Sequence, residues 1–304
     1  MDPFPNECIY SILLFLNPIQ LQLCGQINNN FNQLCQLDSL WRNQSNKSEG
    51  FANFSLLRVG ETLWSVHCKL YYQLITLKEK LKLHDEIDNL YKITVLYLPD
   101  RELTQLPKEI GQLINLKKLD LVNNRLTKLP KEIGQLINLK CLMLSNNQLT
   151  ELPKEIGNLI NLQSLYLYYN KLTKLPSEIK YLTNLEYLDI TSNEFTILPL
   201  EIKVLIKLTE LVCGGNKLME LPKEIGQLIN LQRLYLYVNE LKKLPKGIER
   251  LTNLQSLHLY NHKQLKELPK EIGQLTNLQY LLLDNQFTKI PEEIRQLPNL
   301  KIYT

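Results

Sequence analysis

A proline recurs along the chain from residue 107 onward at almost constant spacing. The intervals between successive prolines, up to residue 291, are 23 residues six times, then 24 and then 22. Alignment on them gives the unit L-x-x-L-x-L-x-x-N-x-L-x-x-L-P-x-E-I-G-x-L-x-N, of which nine copies begin between Ile93 and Leu278. Because one such unit cannot bury its own leucines, stacked copies must share a continuous core.

Each part of the unit predicts a local structure. In L-x-L, alternate side chains of a short strand point to opposite faces, so the leucines enter the core and the residues between them face solvent. The proline ends the strand, and apolar residues at three-residue steps after it predict a short 3₁₀ or helical return. Between these parts, a column of asparagines predicts an amide ladder that satisfies a buried turn of the backbone: Asn124, Asn147, Asn170, Asn193, Asn216 and Asn239.

The repeat departs from this pattern near its C-terminal end. An extra residue lies around Asn261–Lys263, and the ninth unit is one residue shorter, so we expect Asn285 to take the ladder role there. The sequence stops within the first residues of a tenth strand, and an uncovered strand edge is a candidate site for weak self-association.

The repeated unit resembles the leucine-rich repeat family over residues 93–304. The resemblance implies an α/β fold: a curved solenoid with a parallel sheet on its concave face, preceded by a small all-α module. The strand residues that face solvent on this sheet include eight of the fifteen tyrosines of the chain. Tyrosine offers a large and rigid contact area, although it is also a good strand former.

We therefore interpret the concave face as a surface that binds a protein target. Two tyrosine walls are expected to flank a shallow dent around Gly214, in the sixth unit. The predicted target-binding residues are Tyr166, Tyr168, Tyr187, Val212, Gly214, Arg233, Tyr235, Tyr237, His258, Tyr260 and Tyr280.

Residues 1–42 lack the repeat and predict two or three short helices. Phe4-Pro5, Glu7, Leu16-Asn17-Pro18, Phe31–Leu34 and Leu40-Trp41-Arg42 occur in the order of the F-box motif, which this segment resembles. Residues 43–92 are expected to form a loop and a helical linker, with a helix from about Glu61 to Leu83 that caps the first repeat.

The F-box resemblance implies docking on the Skp1 subunit of cullin-based ubiquitin ligases, so the chain would be a substrate receptor. The alternative is a free-standing interaction scaffold or effector whose N-terminal helices are only a cap. Near-identical repeats rich in Asn, Lys and Ile also resemble bacterial surface repeats and F-box repeat proteins of large amoeba-infecting DNA viruses, and the F-box resemblance favours a eukaryotic or viral source. The residues that the resemblance assigns to docking or to the core of the module are Pro5, Ile9, Ile12, Leu16, Pro18, Leu21 and Trp41.

Several other functions find little support in the composition. A net charge of +4 without a clustered basic face argues against nucleic-acid binding. Six scattered cysteines without a C-x-x-C pair indicate neither disulfides nor a zinc site. The apolar run 8–16 is too short to span a bilayer and lacks the flanks of a signal peptide.

No phosphate loop, nucleophile elbow or metal-binding helix occurs in the sequence, so we expect neither an enzyme nor a cofactor. His258 and Asp284 could meet on the concave face, but we interpret them as polar residues of a binding surface. The expected location is the cytoplasm (the host's, for a viral protein), with the nucleus as the alternative.

Overall fold

A computed structural model describes residues 64–84, 87–287 and 289–304 of this chain. The chain divides into two compact units, Met1–Ile93 and Thr94–Thr304. The F-box-like segment 1–42, with all seven predicted docking residues, lies outside the described residues.

The described part of the first unit consists of two helices. Helix α1 spans Trp64–Leu81, within the helix expected between Glu61 and Leu83, and α2 spans Ile87–Lys92. Leu74, Leu77 and Leu81 of α1 are buried at the three- and four-residue spacing of one helix face. In the described residues, no helix is long and apolar enough to cross a membrane.

The second unit contains ten three-residue strands in one sheet, which confirms the predicted fold. Neighbours in sequence are neighbours in space, every pair is parallel, and corresponding residues of successive repeats lie opposite one another. The strands are β1 Val95–Tyr97, β2 Lys118–Asp120, β3 Cys141–Met143, β4 Ser164–Tyr166, β5 Tyr187–Asp189, β6 Glu210–Val212, β7 Arg233–Tyr235, β8 Ser256–His258, β9 Tyr280–Leu282 and β10 Lys301–Tyr303.

The return limb of each repeat is a single 3₁₀ turn on the outer side. Its preceding proline is extended, with φ near −65°, and the proline carbonyl accepts a hydrogen bond from the isoleucine three residues later, as Pro130 does from Ile133 at 3.0 Å. The turns span Lys108–Gln112, Lys131–Gln135, Lys154–Asn158, Ser177–Tyr181, Leu200–Val204, Lys223–Gln227, Lys246–Arg250 and Lys270–Gln274, and the last return is helix α3, Glu292–Arg295.

The predicted asparagine ladder is present. The Asn147 Oδ1 atom accepts a hydrogen bond from the Leu126 amide at 3.0 Å, while its Nδ2 atom donates to the carbonyls of Leu121 and Leu144 at 2.9 and 3.0 Å. Asn170 and Asn193 make the same contacts one and two repeats further on. Each amide therefore joins its own repeat to the preceding one.

A second amide ladder runs along the exposed flank where each strand begins, and it did not figure in the sequence prediction. Asn138 Nδ2 donates to the Ile114 carbonyl at 2.9 Å, and Asn161 repeats the contact with Ile137 at 2.8 Å. Lys207 stands where this column would place an asparagine, and its Nζ atom donates to Asn184 Oδ1 at 2.7 Å.

A column of glycines brings successive 3₁₀ turns close together. A Cβ atom built on Gly111, Gly134 or Gly157 would lie 2.5–2.7 Å from the backbone carbonyl oxygen of the glutamate in the next turn. Real Cβ atoms do not approach that closely, so glycine is required for this spacing. Lys180, Lys203 and Glu249 occupy the same column in other repeats, and the turns there must stand further apart.

The ladder changes in the last two repeats, and one expectation for them is wrong. His262 replaces asparagine four residues after β8; it is 1% exposed, and neither ring nitrogen makes a well-formed hydrogen bond, although the ring lies beside the backbone of Leu236 and Asn239. In the next repeat the corresponding position belongs to Gln286, whose side-chain amide donates to the His262 carbonyl. Asn285, the predicted ladder residue, is exposed, because the ninth repeat is shortened after the ladder position, between Gln286 and Pro291, and not before it.

We expect His262→Asn to stabilise the solenoid by about 1–2 kcal/mol at neutral pH, because a ladder amide replaces two buried ring nitrogens that make no well-formed hydrogen bond. Burial lowers the pKa of His262 below its ordinary 6.5, so near that pH the unfolded chain binds more protons than the folded one. The wild type should therefore lose stability as the pH falls through 6.5, more steeply than the variant. Urea unfolding at several pH values measures both effects; equal pH dependence of the two proteins would contradict the assignment.

Candidate protein-binding surface

The parallel register places corresponding solvent-facing residues of successive repeats in three columns on the concave face. The first and third residues of each strand form two columns, and the residue two positions after the strand forms the third. The central leucine of β2 to β9 is fully buried beneath them. All of the predicted target-binding residues occupy positions in these three columns.

The predicted tyrosines form two groups on this surface. The first group, Tyr166, Tyr168 and Tyr187, lies on β4 and β5, where the rings of Tyr166 and Tyr187 are 4.7 Å apart between centroids. The second group lies on β7 and β8: Tyr237 and Tyr260 stack at 5.1 Å with nearly parallel planes, and Tyr235 lies 4.3 Å from the ring of His258. We call them the first and second aromatic groups.

The dent predicted around Gly214 is not open, which corrects the expectation from sequence. The ring of Tyr237 covers Gly214 so closely that a Cβ atom on that glycine would overlap it. Val212 is only 7% exposed. Neither residue offers surface to a target; Gly214 instead provides the space in which Tyr237 lies flat. The second aromatic group therefore extends over the sixth repeat.

Charges on this part of the surface are mostly compensated. Arg233 Nη1 lies 3.0 Å from Glu210 Oε2 across adjacent strands. The Asp189 carboxylate accepts hydrogen bonds from the Thr191 amide at 2.8 Å and, more weakly, from the Tyr187 hydroxyl at 3.4 Å. Burial raises the pKa of Asp189 and of Tyr187, so the tyrosine stays neutral at physiological pH.

The groups that could suggest catalysis make other contacts. His258 Nε2 lies 3.0 Å from Ser256 Oγ, and Asp284 accepts a hydrogen bond from the Asn261 amide at 2.7 Å, so the two side chains that could have met each have a different partner. Burial raises the pKa of the Cys141 thiol, which disfavours the thiolate needed for nucleophilic attack. Within the described residues, no three His, Cys, Asp or Glu side chains are grouped to hold a metal ion.

Strained backbone lines the edge of the concave face, immediately before the asparagine ladder. In the first eight repeats, every residue in this column has a left-handed conformation, with φ between 51° and 63°. Asn, Ser and Gly adopt this conformation with little strain, whereas Tyr169 and the β-branched Val238 are strained in it. Both side chains are exposed, at 60% and 45%. Since strain of this kind is typical of functional positions, we add both residues to the candidate surface. The sequence contained a signal for them, because both interrupt the column that contains Asn123 and Asn146 at 23-residue intervals.

We expect Val238→Asn to raise the free energy of unfolding by about 1–2 kcal/mol, because asparagine adopts the left-handed conformation with less strain. Urea unfolding measures the change. Asn146→Val, the reverse substitution in the same column, is the control and should destabilise by a similar amount. A loss of stability in Val238→Asn would show that Val238 contributes packing that outweighs its strain.

Comparison with known families agrees with this architecture. A family model described as a leucine-rich repeat region matches residues 36–170, 154–239 and 222–303. The chain belongs to the leucine-rich repeat family. A second model, for the F-box domain, matches residues 2–43, which confirms the resemblance of the N-terminal segment. The leucine-rich repeat and F-box families are typically non-enzymatic protein-interaction modules.

Solved structures give the same picture. A leucine-rich repeat protein of Leptospira interrogans is 44% identical, with a TM-score of 0.58 over 73% of this chain and 62% of that one. The ectodomain of the Arabidopsis thaliana receptor kinase GASSHO1/SCHENGEN3, in complex with Casparian strip integrity factor 2, is 34% identical (TM-score 0.59; 68% and 26% covered). The plant peptide hormone receptor RGFR1, in complex with RGF2, is 35% identical (TM-score 0.60; 70% and 36% covered).

The chain spans less than two thirds of the length of each of these three proteins. No curated protein sequence matches it significantly.

Proposed function

We propose that this chain is a substrate receptor of a Skp1-cullin ubiquitin ligase, in which the F-box docks on Skp1 and the concave face binds a protein target. The observation that carries this proposal is the F-box match at residues 2–43, on the same chain as an interaction solenoid. With these partners, we expect the protein in the cytoplasm or the nucleus.

The chemistry of the concave face supports target binding. Its two aromatic groups present rigid rings with hydroxyls at their tips, and such side chains dominate the energetics of many protein interfaces. Arg233 and Glu210 neutralise each other. The free energy of target binding on this surface therefore comes more from apolar contact than from electrostatic attraction. Two of the similar solved structures are complexes of leucine-rich repeat receptors with protein or peptide ligands, which supports the same role for this sheet.

Docking on Skp1 is tested by co-purification of the full chain with Skp1. We expect a complex with the wild type and a loss of at least about 10-fold in affinity for Pro5→Ala/Trp41→Ala, because both residues belong to the motif assigned to docking. Lys131→Ala, on the outer side of the second repeat, is the matched control and should bind normally. If the wild type forms no complex, the chain is a free-standing interaction scaffold.

Target binding is tested by quantitative proteomics of proteins crosslinked to the chain in cells. Tyr168→Ala/Tyr237→Ala removes one ring from each aromatic group, and we expect the target to be reduced at least about 10-fold while Skp1 is retained. Lys131→Ala should leave both unchanged. A set of captured proteins that does not differ between the tyrosine variant and the control would place the target elsewhere on the chain.

A further inference from the structure

Four large apolar side chains lie exposed on the outer surface of the fourth to sixth repeats, opposite the concave face. Tyr181, Ile197, Leu200 and Met219 are each between 48% and 55% exposed. We call these four residues the outer apolar patch. Single exposed apolar residues are normal on a protein surface, whereas a contiguous group indicates a contact.

The patch interrupts an outer surface that is otherwise polar. The position of Leu200 is occupied by Lys131, Lys154 and Lys223 in other repeats, and that of Ile197 by a glutamine in the first repeat and by a lysine or glutamate in the others. In contrast, the exposed isoleucines at the flank of the solenoid, such as Ile137 and Ile160, recur in most repeats and therefore belong to the repeat itself. The outer apolar patch is specific to one place on the molecule.

The four residues are neighbours in the register of the solenoid. The Met219 amide donates a hydrogen bond to the Thr196 carbonyl at 3.3 Å, which places Met219 next to Ile197. Leu200 begins the 3₁₀ turn of the fifth repeat, and Val204 ends it. Tyr181 occupies the position of Val204 in the preceding turn. The patch therefore continues from the fourth repeat to the sixth.

Charged residues within the patch are arranged in a self-complementary way. The turns of the fourth and fifth repeats read Glu178-Ile179-Lys180 and Glu201-Ile202-Lys203, where most other repeats have glycine in place of the lysine. Each buried isoleucine thus separates an acidic from a basic residue on the surface. If two such turns faced each other in antiparallel fashion, each glutamate would oppose a lysine, and Leu200 would oppose Val204.

We propose that the outer apolar patch binds a second copy of this chain about a two-fold axis that runs along the solenoid. Such an isologous contact pairs the same surface on both copies. It pairs Glu201 of one copy with Lys203 of the other, and Glu178 with Lys180, and the exposed apolar side chains of the patch lie on either side of these charged pairs. Because the contact lies on the outer side, both concave faces stay open to targets.

Sedimentation velocity of the full chain between about 1 and 100 µM, the range of weak specific complexes, tests this pairing. We expect a reversible dimer, and at least 10-fold weaker association for Ile197→Lys/Leu200→Lys. Lysine already stands at both positions in other repeats, so the fold should be kept, and circular dichroism checks it. Ile160→Lys is the matched control: Ile160 is 53% exposed but lies outside the patch, so this variant should dimerise like the wild type.

Charge reversal tests the two-fold geometry separately. Glu201→Lys and Lys203→Glu alone each place like charges in opposition and should weaken the dimer, whereas the combined variant restores opposite charges and should recover it. A wild type that stays monomeric at every concentration overturns the proposal. So does a control that is as damaging as the patch variant, or a combined variant that fails to recover association. Binding of Skp1 is unaffected by any of these outcomes.

Discussion

The asparagine ladder is the interaction on which the rest of the structure depends. After each strand the chain turns into the core, where its backbone amides and carbonyls lose contact with water. An asparagine side chain carries both an acceptor and two donors, so Asn147 can serve the amide of Leu126 and the carbonyls of Leu121 and Leu144 at once. Aspartate offers only acceptors when ionised and leucine offers neither. The ladder therefore holds successive repeats in register, and this register creates the columns on the concave face.

The outer side is controlled by a different constraint, the distance between successive 3₁₀ turns. Gly111, Gly134 and Gly157 allow one turn to approach the backbone of the next. Lys180 and Lys203 do not, so the turns of the fourth to sixth repeats must separate while their strands keep the spacing of the sheet. The same stretch carries the outer apolar patch on one side and the covered Gly214 on the other.

A strict period made most of this architecture predictable from sequence. Once the prolines fixed the register, the strands, the ladder and the solvent-facing columns followed residue by residue. The direction in which a side chain points along its strand could not be predicted, because it depends on the space that neighbouring side chains leave. Tyr237 lies over Gly214 only because the glycine leaves room for its ring. The Asn285 assignment failed because the period shows that the ninth repeat lacks a residue but does not show on which side of the ladder position the residue is missing. The strain at Tyr169 and Val238 was present in the sequence, but only as a column of small polar residues that these two interrupt.

Near-identical repeats also separate scaffold from function in a way that a single irregular domain does not. A residue that matches its column is explained by the ladder, the glycine spacing or the core. A residue that differs from the rest of its column needs another explanation, because the other members of the column show that the fold accepts a different residue at that position. Val238 costs stability where asparagine would not, and Leu200 exposes apolar surface where lysine would not. The departures at Tyr169, Val238, Ile197 and Leu200 lie in the middle repeats, on the concave edge and on the outer side, whereas those at His262 and Gln286 lie near the C-terminal end. The middle repeats are therefore the region to which the proposed contacts with a target and with a second copy are assigned.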